Sequence, residues 1–435
     1  MVSAKKRWLI GSAFAAAAVL ALVIAIALPA GPPGPPSGGF AGTATVHQDM
    51  AWDQLFQGYG NLSGQWSGGD GAQSLPLPDG STMWFFADTY LGATDPGGAR
   101  SPLTTGVAHN SAVLYRGGHL GPTYAQPPGL GGYNSAGDYS WVAPPPSYPA
   151  TSYELINGDQ IIDGGAVYKF YQLADRNIRP GGFPYKLVGT VVEAFSLDSA
   201  TDTLTPSGGT PIGIQDTAAS DPVIWGAATL VSGGYIYIYG VRPYHDSRAP
   251  YPLYLARVPV GGLAAGEPWQ YYHGAPGCSP SSTTWTSDPA SASALRTGVS
   301  AGFSVTDVNG TYVLLTSDNF DAHAADDAVA YYAGCPAGFA PDSPRYRVFQ
   351  PRLPSGYLTY EYRIVPQFSS GSDVLVSYST NTTRPNENFY NATIYRPRFL
   401  DVKLPAIPGP SGPITDPIPS VPLSPISRYS QVITR

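Results

Sequence analysis

Apolar and polar residues fall into two unlike patterns along this chain. The first is a continuous uncharged apolar run from Trp8 to Ala30, with Lys5, Lys6 and Arg7 just ahead of it. The second, from about residue 45 to residue 403, is a succession of short runs rich in Val, Ile, Tyr, Phe and Thr. Gly, Asn, Asp and Ser break these runs, which is the period and punctuation of half-buried strands. Five hairpins stand out, with turns at Asp79-Gly80, Gly164-Gly165, Ser232-Gly233-Gly234, Asn309-Gly310 and Ser369-Ser370-Gly371. Such turns favour hairpins because Gly takes the positive φ that a tight reversal demands.

The first hairpin joins Ala72–Leu77 to Thr82–Ala87, and the second joins Gln160–Asp163 to Ala166–Tyr171. The third pairs Ala227–Val231 with Tyr235–Tyr239, the fourth Ala301–Thr306 with Thr311–Thr316, and the fifth Tyr362–Phe368 with Asp373–Tyr378. A further strand is expected after each, at Ser111–Tyr115, Thr190–Ser196, Tyr251–Arg257, Val329–Ala333 and Asn391–Tyr395. Outer strands are expected at Arg345–Phe349 and Phe399–Lys403. Five antiparallel units of this kind predict an all-β chain folded as a five-bladed β-propeller over residues 45–403. A large β-sandwich or two jelly rolls would explain the alternation equally well, but gives no reason for five similar hairpins.

Composition agrees with a turn-rich, aromatic β protein: the chain is 43% hydrophobic and 12% charged, with 51 Gly, 45 Pro and 30 Tyr. A net charge of −7 on a Lys-poor chain offers no footprint for nucleic acid. Residues 1–30 read as a targeting segment. Their length suits a membrane anchor with the rest of the chain outside, while Ala25-Ile26-Ala27 leaves cleavage as a signal peptide open. Either way the protein is expected to be exported. Residues 31–44 read as a Pro/Gly linker and 404–435 as a Pro-rich tail. Cys278 and Cys335 are expected to form a disulfide. A monomer is expected.

The candidate chemistry lies at the strand ends. Antiparallel pairing should bring Asp70 and Asp88 to the same open end of the first hairpin, beside Trp66 and Trp84. In a propeller the first strand of each blade lines a central channel, so Asp159, Asp221, Asp318 and Glu361 should gather round the same pocket. Trp225, Arg242, His109 and Tyr360 are expected beside them as substrate contacts. Crowded carboxylates raise one another's pKa, so that one can donate a proton while another stays ionised. Glycoside hydrolysis needs that division of labour. His245 and His323 stand near acids but without metal-ligand spacing, and Asp326-Asp327 reads as a solvated pair. Gly-x-Ser-x-Gly is absent, and no cofactor is expected, although the crowded oxygens leave room for a structural calcium ion.

The run Gly69-Asp70-Gly71…Ser74…Leu77-Pro78-Asp79-Gly80…Trp84-Phe85-Phe86-Ala87-Asp88-Thr89 resembles the signature of a bacterial and phage family of secreted five-bladed propellers. That family was long described as a domain of unknown function and is linked to endo-D-arabinanase activity on mycobacterial cell-wall arabinan. A related domain of unknown function shares the hairpin. His109-Asn110-Ser111, Gly158-Asp159 and Ser220-Asp221-Pro222 are similar to later stretches, and Ala87 stands where many relatives have Gly. The layout also resembles five-bladed arabinanase-, xylosidase- and fructosidase-type glycosidases. That resemblance implies Asp70 as base or nucleophile, Asp221 as the modulator of pKa and Glu361 as the acid, with Asp88 or Asp159 able to replace either of the last two. It implies an exported hydrolase of an arabinofuranoside-containing cell-wall polysaccharide. The competing expectation is a non-catalytic propeller that binds glycan or protein at the cell surface.

Overall fold

The computed structural model describes residues 40–125, 139–179, 185–198, 201, 203–217, 220–243, 251–279, 284–317, 327–351 and 356–405. The apolar segment 1–30, the linker as far as residue 39 and the tail from residue 406 lie outside them. No helix among the described residues is long and apolar enough to cross a membrane.

Two short strands, β1 (Gly42–Thr43) and β2 (Thr45–Gln48), precede the helix α1 (Met50–Leu62). Next come β3 (Trp66–Gly69), β4 (Gln73–Pro76), β5 (Thr82–Phe86), β6 (Thr89–Leu91), β7 (Gly106–Ala108), β8 (Ser111–Arg116) and β9 (His119–Tyr124). They form a four-stranded sheet β4-β5-β8-β9 and a small one, β3-β6-β7. The second large sheet holds β10 (Tyr153–Asp163), β11 (Ala166–Asp175), β12 (Lys186–Asp198) and β13 (Thr203–Ile212) in chain order. The third holds β14 (Ile224–Ser232), β15 (Tyr235–Val241), β16 (Tyr251–Pro259), β17 (Gln270–His273) and β18 (Thr284–Thr286), with β19 (Arg296–Val299) paired to β16. The fourth runs through β20 (Phe303–Val308), β21 (Thr311–Ser317), β22 (Ala328–Ala333) and β23 (Arg345–Phe349), with β1 parallel at its edge. The fifth consists of β24 (Tyr357–Ile364), β25 (Asp373–Thr382) and β26 (Arg398–Lys403), completed by β2. The first residues of the fold thus finish its last sheet.

The apolar core is divided among the joints between consecutive large sheets. Leu75 and Phe85 pack with Leu155 and Val167. Phe170 meets Trp225 and Ile238, Tyr239 meets Phe303 and Leu314, and Leu315 meets Tyr362 and Val376. The fifth sheet returns to the first through Leu375 and Phe399, which pack on Trp84 and Phe86 with Phe56 of α1. Sheets covered on both faces explain why β5 and β22 are buried at every position. Truncating one of the wholly buried aromatics at these joints costs about 3–5 kcal/mol.

Several expectations need correction. α1 was not foreseen, although Asp49 caps it by accepting from the amides of Ala51 (2.9 Å) and Trp52 (3.1 Å). β1 lies inside the stretch read as linker. Asn391–Tyr395 is not a strand: a helical turn at Glu387–Tyr390 leads into turns stabilised by the Asn391 carboxamide, which accepts from Thr393 N (3.1 Å). The third strand of that sheet is β26, and β2 takes the outer place expected of it. The disulfide expected between Cys278 and Cys335 is present, with a Cα–Cα separation of 5.6 Å.

The first strands of three large sheets carry irregularities, between Asn157 and Gln160, Trp225 and Ala228, and Tyr360 and Arg363. An extra residue in a strand bends it and re-aims a side chain. The irregularity in β24 places Glu361 in the candidate site.

Candidate active site

Asp70 and Asp88 face each other where the first ribbon passes from the small sheet to the large one. Asp70 N donates to Asp88 O (3.2 Å) and Ala87 N to Asp70 O (2.9 Å). The ribbon continues past them as β3–β6, so they occupy a junction rather than the open end expected. Gly71 makes the junction with φ +64°. Its amide donates to Ser379 Oγ (2.9 Å) and its carbonyl accepts from Asn157 Nδ2 (2.9 Å), which anchors the junction to the fifth and second sheets.

Glu361 reaches the same place from the bulge in β24. Its φ of +54° is left-handed, a costly state for a residue with a Cβ. The side chain passes between two glycines. A Cβ on Gly302 would stand 2.5 Å from Glu361 Cγ, and one on Gly71 would stand 3.0 Å from Glu361 Oε2. Asp70, Asp88 and Glu361 therefore line one cavity of about 210 Å³, with Ile156, Tyr185, Ser300, Ser317 and Tyr360 among its walls. A larger groove of about 530 Å³ along β1, β2, β23 and β26 has no acid in its lining.

The electrostatics of this cavity follow from burial. Asp70 is 6% exposed. Burial, then the neighbouring charges of Glu361 and Asp88, push its carboxyl well above the ordinary range, while hydrogen bonds from Tyr360 and Tyr395 oppose them. Tyr360 Oη donates to Asp70 Oδ2 at 2.7 Å. Asp70 Oδ1 and Glu361 Oε2 are buried with no hydrogen-bond partner. Burial also raises Glu361, with Arg363 and Lys169 pulling it back and Asp88 adding to the rise. The buried phenols of Tyr185, Tyr360 and Tyr395 are all pushed well up, each with Asp70 among the causes.

Asp88 is held by a second set of groups. His109 Nδ1 lies 2.9 Å from Asp88 Oδ1, and its Nε2 lies 3.4 Å from Glu154 Oε2. Arg176 Nε is 3.7 Å from the same Glu154 oxygen.

Other residues expected at the pocket do not line it. Asp159 accepts from Thr229 N (2.6 Å) and Thr229 Oγ1 (3.0 Å), tying the second sheet to the third. Asp221 has its carboxylate 4.0 Å from Lys186 Nζ, whose ammonium also donates to the carbonyls of Thr217 (2.7 Å) and Ser220. Trp225 is 3% exposed in the apolar core, beside Tyr254 and Tyr271. Arg242 lies over the Tyr254 ring, 4.9 Å from its centroid. Asp318 lies outside the described residues, as do His245, Asp246, Asp321 and His323. Asp327 is described and sits 3.1 Å from Arg347 Nε. Among the described residues, no group of three or more His, Cys, Asp and Glu could hold a metal ion.

Sequence reasoning missed Tyr185, Tyr395, Glu154 and Lys169. Only Lys169 left a signal, as a lone cation inside the buried run Ala166–Tyr171. It is wholly buried, with Nζ 2.8 Å from Gln73 Oε1 and 2.8 Å from Gln160 Oε1, and it also donates to Gly158 O.

Residues 53–404 match a family described as a domain of unknown function, DUF5005. No curated protein sequence matches. Among solved structures, the chain is similar to a protein of Bacteroides ovatus ATCC 8483 described provisionally as a hydrolase. The identity is 19% and the TM-score 0.61, over 84% of this chain and 92% of that one. It also matches a family 117 glycoside hydrolase of the marine bacterium Zobellia galactanivorans (12% identity, TM-score 0.44, 84% and 92% covered). A third match is the α-L-arabinanase of Cellvibrio cellulosa (10% identity, TM-score 0.39, 76% and 90% covered).

Proposed function

The chain belongs to the DUF5005 family, and from the site that its fold builds we propose that it is a glycoside hydrolase of an arabinofuranoside-containing cell-wall polysaccharide. The observation that carries this reading is the meeting of Asp70, Asp88 and Glu361 in one cavity. We read the five large sheets as the five blades of a propeller, with the cavity at its axis.

Asp70 and Glu361 are the reacting pair. A carboxylate accepts from a phenol, so Tyr360 favours the ionised form of Asp70 and fixes its Oδ2. Oδ1 is left to attack the anomeric carbon or to deprotonate a water. Burial raises both carboxyls, so the pair holds a proton in common, and the leaving oxygen takes it from Glu361, whose Oε2 has no hydrogen-bond partner. Asp88, oriented by His109, supplies the negative charge that keeps a proton on the pair. Asp88 thus takes the modulating part first given to Asp221, which stands outside the cavity.

The cavity volume is below the roughly 300–1,000 Å³ of pockets for drug-sized ligands, so it suits one sugar residue at a time. Arabinan is chosen on the likeness of the first hairpin. Export agrees with the disulfide, since such bonds persist in oxidising compartments. A hydrolase description for the Bacteroides ovatus relative accords with the reading.

The test is to incubate the protein with arabinan, arabinogalactan, xylan and starch and to chromatograph the soluble products. Arabinose or arabino-oligosaccharides are expected from the first two. Binding to any of these without release of sugar would replace this reading with that of a glycan-binding module.

A further inference from the structure

We propose that Glu154 is a positioning residue of the site: from the second sheet it holds the ring of His109 as an imidazolium against Asp88, and so sets how much of the Asp88 charge reaches the reacting pair. The inference rests on the preceding assignment of Asp70 and Glu361 as that pair. The His109 ring lies between two carboxylates, with Asp88 Oδ1 2.9 Å from Nδ1 and Glu154 Oε2 3.4 Å from Nε2. Its side chain is 12% exposed and that of Glu154 6%, so water does little to screen either contact. Neighbouring residues fix the spacing. His109 N donates to Ser140 Oγ (2.8 Å). Asn110 Nδ2 donates to the carbonyls of Val142 (2.9 Å) and of Leu155 (3.3 Å), the residue after Glu154.

An ionised carboxylate only accepts, and a neutral imidazole has one N–H and one lone pair. Either neutral tautomer of His109 would therefore turn its lone pair on a carboxylate, at Asp88 or at Glu154. The imidazolium meets both with N–H. The charged and titratable groups around the ring come from four segments. Asp88 follows β5, Glu154 belongs to β10, and Arg176, after β11, has Nε 3.7 Å from the same Glu154 oxygen. Tyr185, ahead of β12, lines the cavity with Asp88, and so do Asp70 and Glu361. With the ring protonated, the chain Asp88–His109–Glu154–Arg176 carries no net charge. The imidazolium is the member next to Asp88, so it damps the field of Asp88 at the pair. With the ring neutral, Asp88 acts undamped and the pair holds its common proton to higher pH.

Two variants move the ring in opposite directions. Glu154→Gln sets an amide N–H opposite Nε2, so a neutral ring can donate from Nδ1 to Asp88 and accept at Nε2. Arg176→Met leaves Glu154 without its cation, so the ring should keep its proton to higher pH than in wild type. Nitrogen-15 NMR of the His109 ring against pH reads both effects. The imidazolium is expected at pH 7 in wild type and in Arg176→Met, and the neutral Nδ1–H tautomer in Glu154→Gln. The pH–rate profile of Glu154→Gln on arabinan should move to higher pH by about one unit, a tenfold change in rate on its acid limb, with KM nearly unchanged. A purely structural role for Glu154 would lower stability and move neither readout. A neutral ring at pH 7 in wild type would overturn the proposal. So would an imidazolium that survives at pH 7 in Glu154→Gln, or a profile that stays in place. If Glu154→Gln does not fold, Arg176→Met decides, and a ring that titrates there as in wild type would overturn the proposal. If wild type releases no sugar while the ring behaves as stated in both variants, the glycosidase reading falls and the hold of Glu154 on His109 stands.

Discussion

Asp70 illustrates how one buried carboxyl links chemistry to stability. Its pKa in the folded chain lies above its unfolded value, so the folded state binds the proton more tightly. Stability from this source is fully present below the unfolded value, about pH 4, and is lost as pH rises through the folded value. Asp70→Asn removes that loss and keeps an oxygen for Tyr360 to donate to. The variant should therefore melt above wild type at pH 7, and the two curves should converge below about pH 4. Thermal melts across pH check this, and a variant less stable than wild type at neutral pH would contradict it. Tyr360→Phe acts in the opposite sense: it removes a donor that favours the charged form, so the acid limb of the pH–rate profile should move to higher pH.

At the scale of elements, the bulge in β24 makes a sharper claim. Glu361 occupies a left-handed position that costs roughly 1–3 kcal/mol for a side-chain-bearing residue. Glu361→Gly should remove both that strain and a buried acid, so the melting temperature should rise while sugar release is lost. Gly302→Ala should lower both the melting temperature and the rate of sugar release, because its Cβ would stand 2.5 Å from Glu361 Cγ. These elements also mark what was legible in the sequence. The first four hairpins could be read, because Asp-Gly, Gly-Gly and Asn-Gly turns and the alternating runs beside them act over a few residues. Asp70 and Asp88 could be found together for the same reason. The fifth hairpin held only in part, since its first strand ends at Ile364 and Pro366–Phe368 form a 3-10 turn where strand was expected. Glu361 was marked by its place at the start of the fifth hairpin, but not by its orientation, since nothing local announces positive φ at a glutamate. The strand expected at Asn391–Tyr395 failed because local turn chemistry at Asn391 outweighed the apolar Ile394 and Tyr395. Trp225 looked like a sugar platform, yet it serves the joint between two sheets. Burial of that kind depends on residues far away in the chain.

For the whole molecule, long-range closure is what the sequence left hidden. β2 completes a sheet whose other strands begin more than 300 residues later, with Val46 opposite Val402. A chain that lacks residues 40–48 should expose the edge of β26 and lose cooperative unfolding. The disulfide spans 57 residues, and its loss should cost about 4 kcal/mol by loop-closure entropy. It lies among residues of the third and fourth sheets, away from the cavity, so Cys278→Ser with Cys335→Ser should melt earlier yet retain wild-type kcat. The account as a whole comes down to the carboxyl pair. The most direct measurement is the rate of reducing-end release from arabinan by wild type, Asp70→Asn and Glu361→Gln, each shown folded by its melting curve. We expect measurable release by wild type and a fall of about 10²–10⁴-fold in each variant. Folded variants that cleave at the wild-type rate would contradict the account.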